Sequence, residues 1–230
     1  MKLKVDTENF APIMEDCSAI VLAGGESKRL NFRPKAFIKI DKTPLISHTV
    51  KKCSDFKEIL VVVHSQEQVE TLEKILPPSV NCIMDEDAKI KGPLIGCFSG
   101  FRKAKSKYSV LLACDLPFLN VDALKILLNK CRNKNASIPI WSNGQIEPLH
   151  SVYRTTAALK ASNDIVRKGK RDLHSMASLL KEVVYVPTET FRKVDRDLLT
   201  FLNINTMEDL KYMTEIFANK IKNTGIYSNF

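Results

Sequence analysis

Apolar positions along this chain follow two rhythms. Residues 18–23 (SAIVLA), 58–63 (EILVVV) and 109–114 (SVLLAC) are short solid runs rich in aliphatic side chains, the pattern of strands buried on both faces. Between them the period lengthens to that of a helix. In SQEQVETLEKIL (65–76), Val69, Leu72 and Leu76 share one side and charges the other. In TPLISHTVKKCSDF (43–56), the pattern predicts Thr43 as N-cap and Pro44 at the first helical position. VDALKILLNKC (121–131) continues the alternation.

Strand and helix repeated in turn imply right-handed crossovers and a largely parallel sheet. Beyond residue 131 the rhythm changes. ASIPIW (136–141) and IEPLHSVY (146–153) flank the turn SNGQ, which reads as a hairpin or strand pair at the sheet's edge. Residues 154–169 and 171–182 read as helices, 183–187 and 198–205 as strands, and 206–222 as a last helix capped by Thr206. The expectation is one three-layer α/β/α domain of Rossmann-like kind, mostly parallel, with an antiparallel edge strand. Its limits are read as 18–217, between an extension at 1–17 and a tail at 218–230.

Composition narrows the class. A chain of 230 residues, 44% hydrophobic and 27% charged, has the make-up of an ordinary soluble protein. No run approaches the roughly 18 apolar residues of a membrane span, and MKLKVDTENF has no apolar signal core. The six cysteines stand singly, without C-x-x-C, and the four histidines lack metal-ligand spacing. Reduced thiols, a cytoplasmic location and no membrane partner are therefore expected. The net charge of +9 favours anionic partners, yet no nucleic-acid module is visible and the basic residues are scattered. No nucleic-acid partner is expected.

Chemistry concentrates where strands end, since ligands of open α/β sheets sit beyond the carboxyl ends. The first strand runs into Gly24 and Gly25, then Lys28 and Arg29. Bare backbone followed by positive charge suits an anion such as phosphate, although a glycine pair also serves a simple tight turn. The loop is neither G-x-x-x-x-G-K-[ST] nor G-x-G-x-x-G. It reads L-A-G-G-x-S-x-R, with Lys35 ten residues after Gly25. A second strand end, CDLPF, carries Asp115, so both motifs are expected to face one crevice.

LAGGESKRLNFRPK resembles the signature of MobA-like nucleotidyltransferases, the molybdenum cofactor guanylyltransferase type, which reads LAGG-x-S-x-R-M-G followed a few residues later by a lysine. GPLIGCFSGF (92–101), CDLPFL (114–119), FLNINTMEDL (201–210) and, more weakly, EPLHSVY agree in order, so the resemblance spans about residues 17–215. It implies a nucleotidyltransferase fold and transfer of GMP from GTP to molybdenum-bound molybdopterin, with release of pyrophosphate. It also implies transient docking to apo-molybdoenzymes. Catalysis then rests on positioning and charge, without a protein nucleophile.

The resemblance assigns roles to residues. Gly24 and Gly25 become backbone donors, Arg29 and Lys35 phosphate cations, and Asp115 the Mg²⁺ ligand, with phosphates and water completing the shell. The base is expected against the backbone around Leu22, Ala23 and Gly24, with His64, Asp85 and the Gly92–Pro93 turn around it. Asn203 and Asn205 fall on the acceptor and metal side, together with Pro148. Apart from the resemblance, the basic run with Arg167, Lys170 and Arg171 offers further phosphate contacts, although such runs are usually solvated surface.

Two departures from the family pattern stand out. Asn31 replaces a signature glycine, and His64 with Ser65 stands where an asparagine is expected. Cytidylyl transfer differs only in base contacts and stays open, as does a sugar-phosphate nucleotidyltransferase. The reading from a different class is a catalytically weak nucleotide-binding adaptor in cofactor assembly, motivated by those two departures.

Overall fold

A computed structural model describes residues 14, 16–25, 34–85 and 92–224, with side chains as far as residue 219. Its centre is built from the three solid apolar runs. Strands β1 (Cys17–Leu22), β4 (Glu58–Val63) and β6 (Tyr108–Ala113) lie side by side and parallel, with Val21 opposite both Val61 and Leu112. Successive residues feed opposite layers. Ala19, Val21, Val61 and Leu112 join one core, while Ile20, Leu60, Val62 and Leu111 join the other. A strand clothed on both sides has no polar face to show, which is why these segments do not alternate.

The full sheet has the order β5-β4-β1-β6-β8-β7-β9, with β5 at Val80–Met84, β7 at Ala136–Ile140, β8 at His150–Arg154 and β9 at Val183–Pro187. Helices α1 (Leu45–Lys51), α2 (Gln66–Glu73) and α4 (Val121–Lys130) cover one face. Helices α3 (Pro93–Lys103), α5 (Thr155–Arg167) and α6 (Leu173–Leu179) cover the other. The last helix, α7 (Met207–Thr224), makes a small third cluster in which Met213 packs with Ile40, Leu45 and Ile204. Ser65, Asn120 and Asp172 cap their helices by accepting backbone N–H bonds at the first turn.

The three-layer, mostly parallel fold is as read from the pattern, but the antiparallel strand is not at the edge. β8 runs antiparallel between β6 and β7, and the edge strand β9 is parallel to β7. The nine-residue link from β7 forces β8 to return antiparallel, and β8 takes the free side of β6. Hydrophobic pattern shows that a hairpin forms; it does not show which arm faces the existing sheet.

Three local readings also change. Thr43 and Pro44 form the short strand β3, paired with β2 (Lys39–Ile40) across a turn in which Asp41 and Lys42 have positive φ. Pro44 rather than Thr43 is the α1 N-cap, and no side chain caps that helix. Residues 198–205 form a 3₁₀ turn, Leu199–Phe201, followed by a short segment outside any strand. β1 begins at Cys17 and Met14 is buried against the core, so packing reaches into the stretch read as an extension.

Helix α3 approaches the sheet more closely than side chains on both surfaces would allow. A Cβ on Gly100 would stand 2.5 Å from Ile20 Cγ2, and one on Gly96 would stand 3.3 Å from Leu22. The missing side chains bring α3 down onto β1 and β4. Gly100→Ala is expected to destabilise by about 1–3 kcal/mol despite its gain in helix propensity, because a β-branched side chain in a packed core has nowhere to go. Urea unfolding measures this, and an unchanged midpoint would show that Ile20 yields freely.

Candidate nucleotide cleft

The carboxyl ends of β1, β4 and β6 open into a cleft of about 710 Å³. Backbone pairing holds its floor past the strand ends, as Ala23 N–H donates to Val62 O (2.8 Å) and Cys114 N–H to Leu22 O (3.1 Å). Gly24 and Gly25 line the cleft directly after β1. Ala23, whose backbone is expected beside the base, turns its side chain into the core. Arg29 and Asn31 lie outside the described residues.

Lys35 returns to the glycine loop by its own backbone, donating its N–H to Gly25 O at 3.3 Å. Its ammonium group bridges two oxygens distant in sequence, Asp115 Oδ2 at 2.8 Å and Asn205 Oδ1 at 2.7 Å. Asn205 in turn donates from Nδ2 to Asn203 Oδ1 (2.9 Å). Asp115 is 3% exposed. The bend that presents it is fixed by Thr49 on α1, whose hydroxyl donates to Cys114 O at 3.1 Å and to Leu116 O at 3.5 Å.

Asn205 is held by the start of α7. Asp209 accepts from the backbone N–H groups of Asn205 and Thr206, and the Thr206 hydroxyl accepts from Asp209 N–H. Burial by itself would raise the Asp209 pKa. The two N–H groups, the Thr206 hydroxyl and the nearby Lys35 outweigh it and hold the carboxyl below its ordinary value.

On the β4 side, His64 Nδ1 pairs with Asp85 Oδ2, while His64 N–H donates to Gln68 Oε1 at 2.9 Å. Asp85 is 2% exposed, and its Oδ1 finds no hydrogen-bond partner among the described residues. The His64 ring also explains one glycine. A Cβ on Gly24 would meet it at 2.6 Å, so ring and bare backbone lie face to face. The α3 N-terminus closes this side through Gly92, Pro93 and Gly96.

Of the residues expected from the sequence, the cleft brings together Leu22, Gly24, Gly25, Lys35, His64 and Asp85 with Gly92, Pro93, Asp115, Asn203 and Asn205. Pro148 lines a neighbouring hollow instead. Arg171 packs against Gly92, with its Cβ 3.2 Å from where a glycine Cβ would stand; Arg167 and Lys170 are exposed and do not line the cleft. The sequence reading missed Gln68, Leu149 and Cys114 as lining residues, and Thr49 as the brace of Asp115. The Cys114 thiol is pushed well up by burial and by Asp115, with Lys35 opposing, so it is no nucleophile.

Residues 19–183 match the model of the MobA-like NTP transferase domain. The chain belongs to this family. A probable molybdenum cofactor guanylyltransferase of Methanosarcina mazei is 32% identical over 203 residues, covering 85% of this chain and 89% of that protein. The crystal structure of molybdopterin-guanine dinucleotide biosynthesis protein A from Archaeoglobus fulgidus superposes with a TM-score of 0.76 at 28% identity, over 88% of this chain and 99% of that one. A 4-diphosphocytidyl-2C-methyl-D-erythritol synthase from Anaerococcus prevotii, with a TM-score of 0.67 at 13% identity over 91% and 99%, shares the fold alone. This MobA-like chain is a nucleotidyltransferase. No helix among its described residues is long and apolar enough to cross a membrane.

Proposed function

We propose that this MobA-like enzyme transfers GMP from GTP to the phosphate of molybdenum-bound molybdopterin. An acceptor phosphate oxygen attacks the α-phosphorus, the bond from that phosphorus to the bridging oxygen breaks, and pyrophosphate leaves. The observation that carries the reading is the junction of Lys35, Asp115 and Asn205 opposite the Gly24–Gly25 backbone. It offers positive charge and N–H donors where a triphosphate would turn, and a carboxylate for a divalent cation.

The donor set suits Mg²⁺. Asp115 and the amide oxygens of Asn203 and Asn205 are hard oxygen ligands, and no group of three or more His, Cys, Asp or Glu gathers among the described residues. Such a site leaves room for phosphates and water, as Mg²⁺ prefers. The ion would neutralise developing phosphate charge when bound. Lys35 already marks the need for a cation between Asp115 and Asn205.

Asp85 favours guanine. Its deeply buried carboxylate oxygen, without a partner among the described residues, calls for a donor, and guanine presents two neighbouring donors, the ring N1–H and the 2-amino group. Cytosine offers one amino group beside an acceptor. Thermal unfolding with GTP, CTP, ATP or UTP tests this reading, with and without Mg²⁺. GTP at a hundred times its Kd should stabilise by about 2.7 kcal/mol, and Mg²⁺ should enhance the shift. A CTP-selective shift would move the enzyme to cytidylyl transfer. No shift with any nucleotide would overturn an active transferase.

A further inference from the structure

A second hollow, of about 320 Å³, adjoins the nucleotide cleft and shares Pro93, Ala113, Leu149 and Asn203 with it. Sheet order explains its position. β8 lies beside β6 on the side away from β1, so residues 145–150 leading into β8 wall a space next to Asp115 and opposite the base side. Ile146, Leu149, Leu173 and Phe201 give it apolar sides. The Phe201 ring is set by Trp141, His150 and Phe191, with centroids 5.7, 4.7 and 5.3 Å away.

Two acids line the hollow, Asp172 and Glu147, and Asp172 is engaged as the α6 cap, its oxygens accepting from the Ser175 N–H and hydroxyl. Glu147 is half-buried, and Trp141 Nε1 donates to its Oε1 at 2.7 Å, which fixes the carboxyl plane; Oε2 carries no hydrogen bond among the described residues. Its backbone is pinned too, with Glu147 N–H on Pro139 O and Ser151 Oγ donating to Glu147 O. Burial pushes the Glu147 carboxyl up, while the Trp141 bond and the His174 charge oppose it. A half-buried carboxylate with one oxygen unpaired among the described residues, lining a hollow whose sides are partly apolar, is an expensive feature for packing alone and a suitable one for a flat ring with adjacent donors.

We propose that Glu147 reads the 2-amino-4-oxopyrimidine edge of the acceptor's pterin, with Phe201 and Leu149 flanking the ring. This rests on the guanylyl-transfer reading, which requires a pterin acceptor. The pterin's ring N3–H and 2-amino group form the same donor pair that guanine presents to Asp85. The enzyme thus uses one carboxylate per heterocycle, on either side of the Lys35–Asp115 junction where the two phosphates must meet.

The test uses the full chain and 6-hydroxymethylpterin, whose fluorescence reports binding, against 6-hydroxymethyllumazine, in which an oxygen replaces the 2-amino group. With GTP and Mg²⁺ saturating, the pterin is expected to bind roughly tenfold or more tightly than the lumazine. Glu147→Gln keeps an oxygen for Trp141; it should weaken pterin binding by about the same factor, erase the preference and leave GTP binding within twofold. Displacement of the pterin by GTP would put both in one cleft and overturn the proposal. Equal binding of the two rings, no pterin binding, or a preference that survives Glu147→Gln would also overturn it. The wild-type comparison needs no variant, so the proposal stays refutable if Glu147→Gln does not fold. Pterin selectivity without GTP selectivity would sink the base assignment and leave this one standing.

Discussion

Asp115→Asn should lower pyrophosphate release by about 10³-fold or more while leaving the melting curve nearly unchanged. The loss is large because Asp115 is the carboxylate that pairs directly with Lys35 among the described residues, and an amide carries no charge for a divalent cation. Several kcal/mol of charge stabilisation corresponds to about that factor. Folding should survive because the bend at Asp115 is made by others. Cys114 N–H bonds to Leu22 O, the Thr49 hydroxyl bonds to Cys114 O, and the asparagine oxygen still accepts from Lys35. The check is turnover against Mg²⁺ concentration, beside circular dichroism and the GTP-induced thermal shift. In the variant, Mg²⁺ should no longer enhance that shift. Activity within tenfold of wild type would remove Asp115 as metal ligand.

Lys35→Ala should slow turnover by about 10²- to 10³-fold, roughly 2.7–4 kcal/mol, the range for a preorganised donor to developing negative charge. The ammonium group is partly buried and already oriented by Asp115 and Asn205, so little reorganisation precedes its contact with phosphate. Lys35→Arg should not restore full activity, since a planar guanidinium cannot sit as a point charge between those two oxygens. Because the two side chains touch, the double variant Lys35→Ala with Asp115→Asn should lose far less than the product of the single losses. Single-turnover rates decide the matter. A loss below tenfold for Lys35→Ala would return Lys35 to the status of a surface ion pair.

The strands that carry the cleft were readable because burial on both faces leaves a mark in one dimension: β1, β4 and β6 are solid apolar runs. The glycine pair and Asp115 were readable for a related reason, as they sit immediately after such runs, where ligands of α/β sheets bind. Residues 198–205 misled because an apolar run of that length suits a strand or a buried turn equally. The choice fell to partners elsewhere: Asp195 accepts Thr200 N–H, and Thr200 Oγ1 accepts Asn120 N–H. Thr43 misled because a Ser or Thr before a proline signals a helix start, whereas here a two-residue ladder with Lys39 and Ile40 took that backbone.

The chain's own order of residues thus settled the layers, the central parallel strands, most helix starts and the class of chemistry, because those depend on periodicity and on near neighbours. Tertiary structure alone decided that β8 lies inside the sheet, that Lys35 meets Asp115 80 positions away and Asn205 170 away, and that Glu147 faces a hollow beside them. Contacts of that kind depend on which strand edge is free and how the layers close. Local pattern carries no record of either.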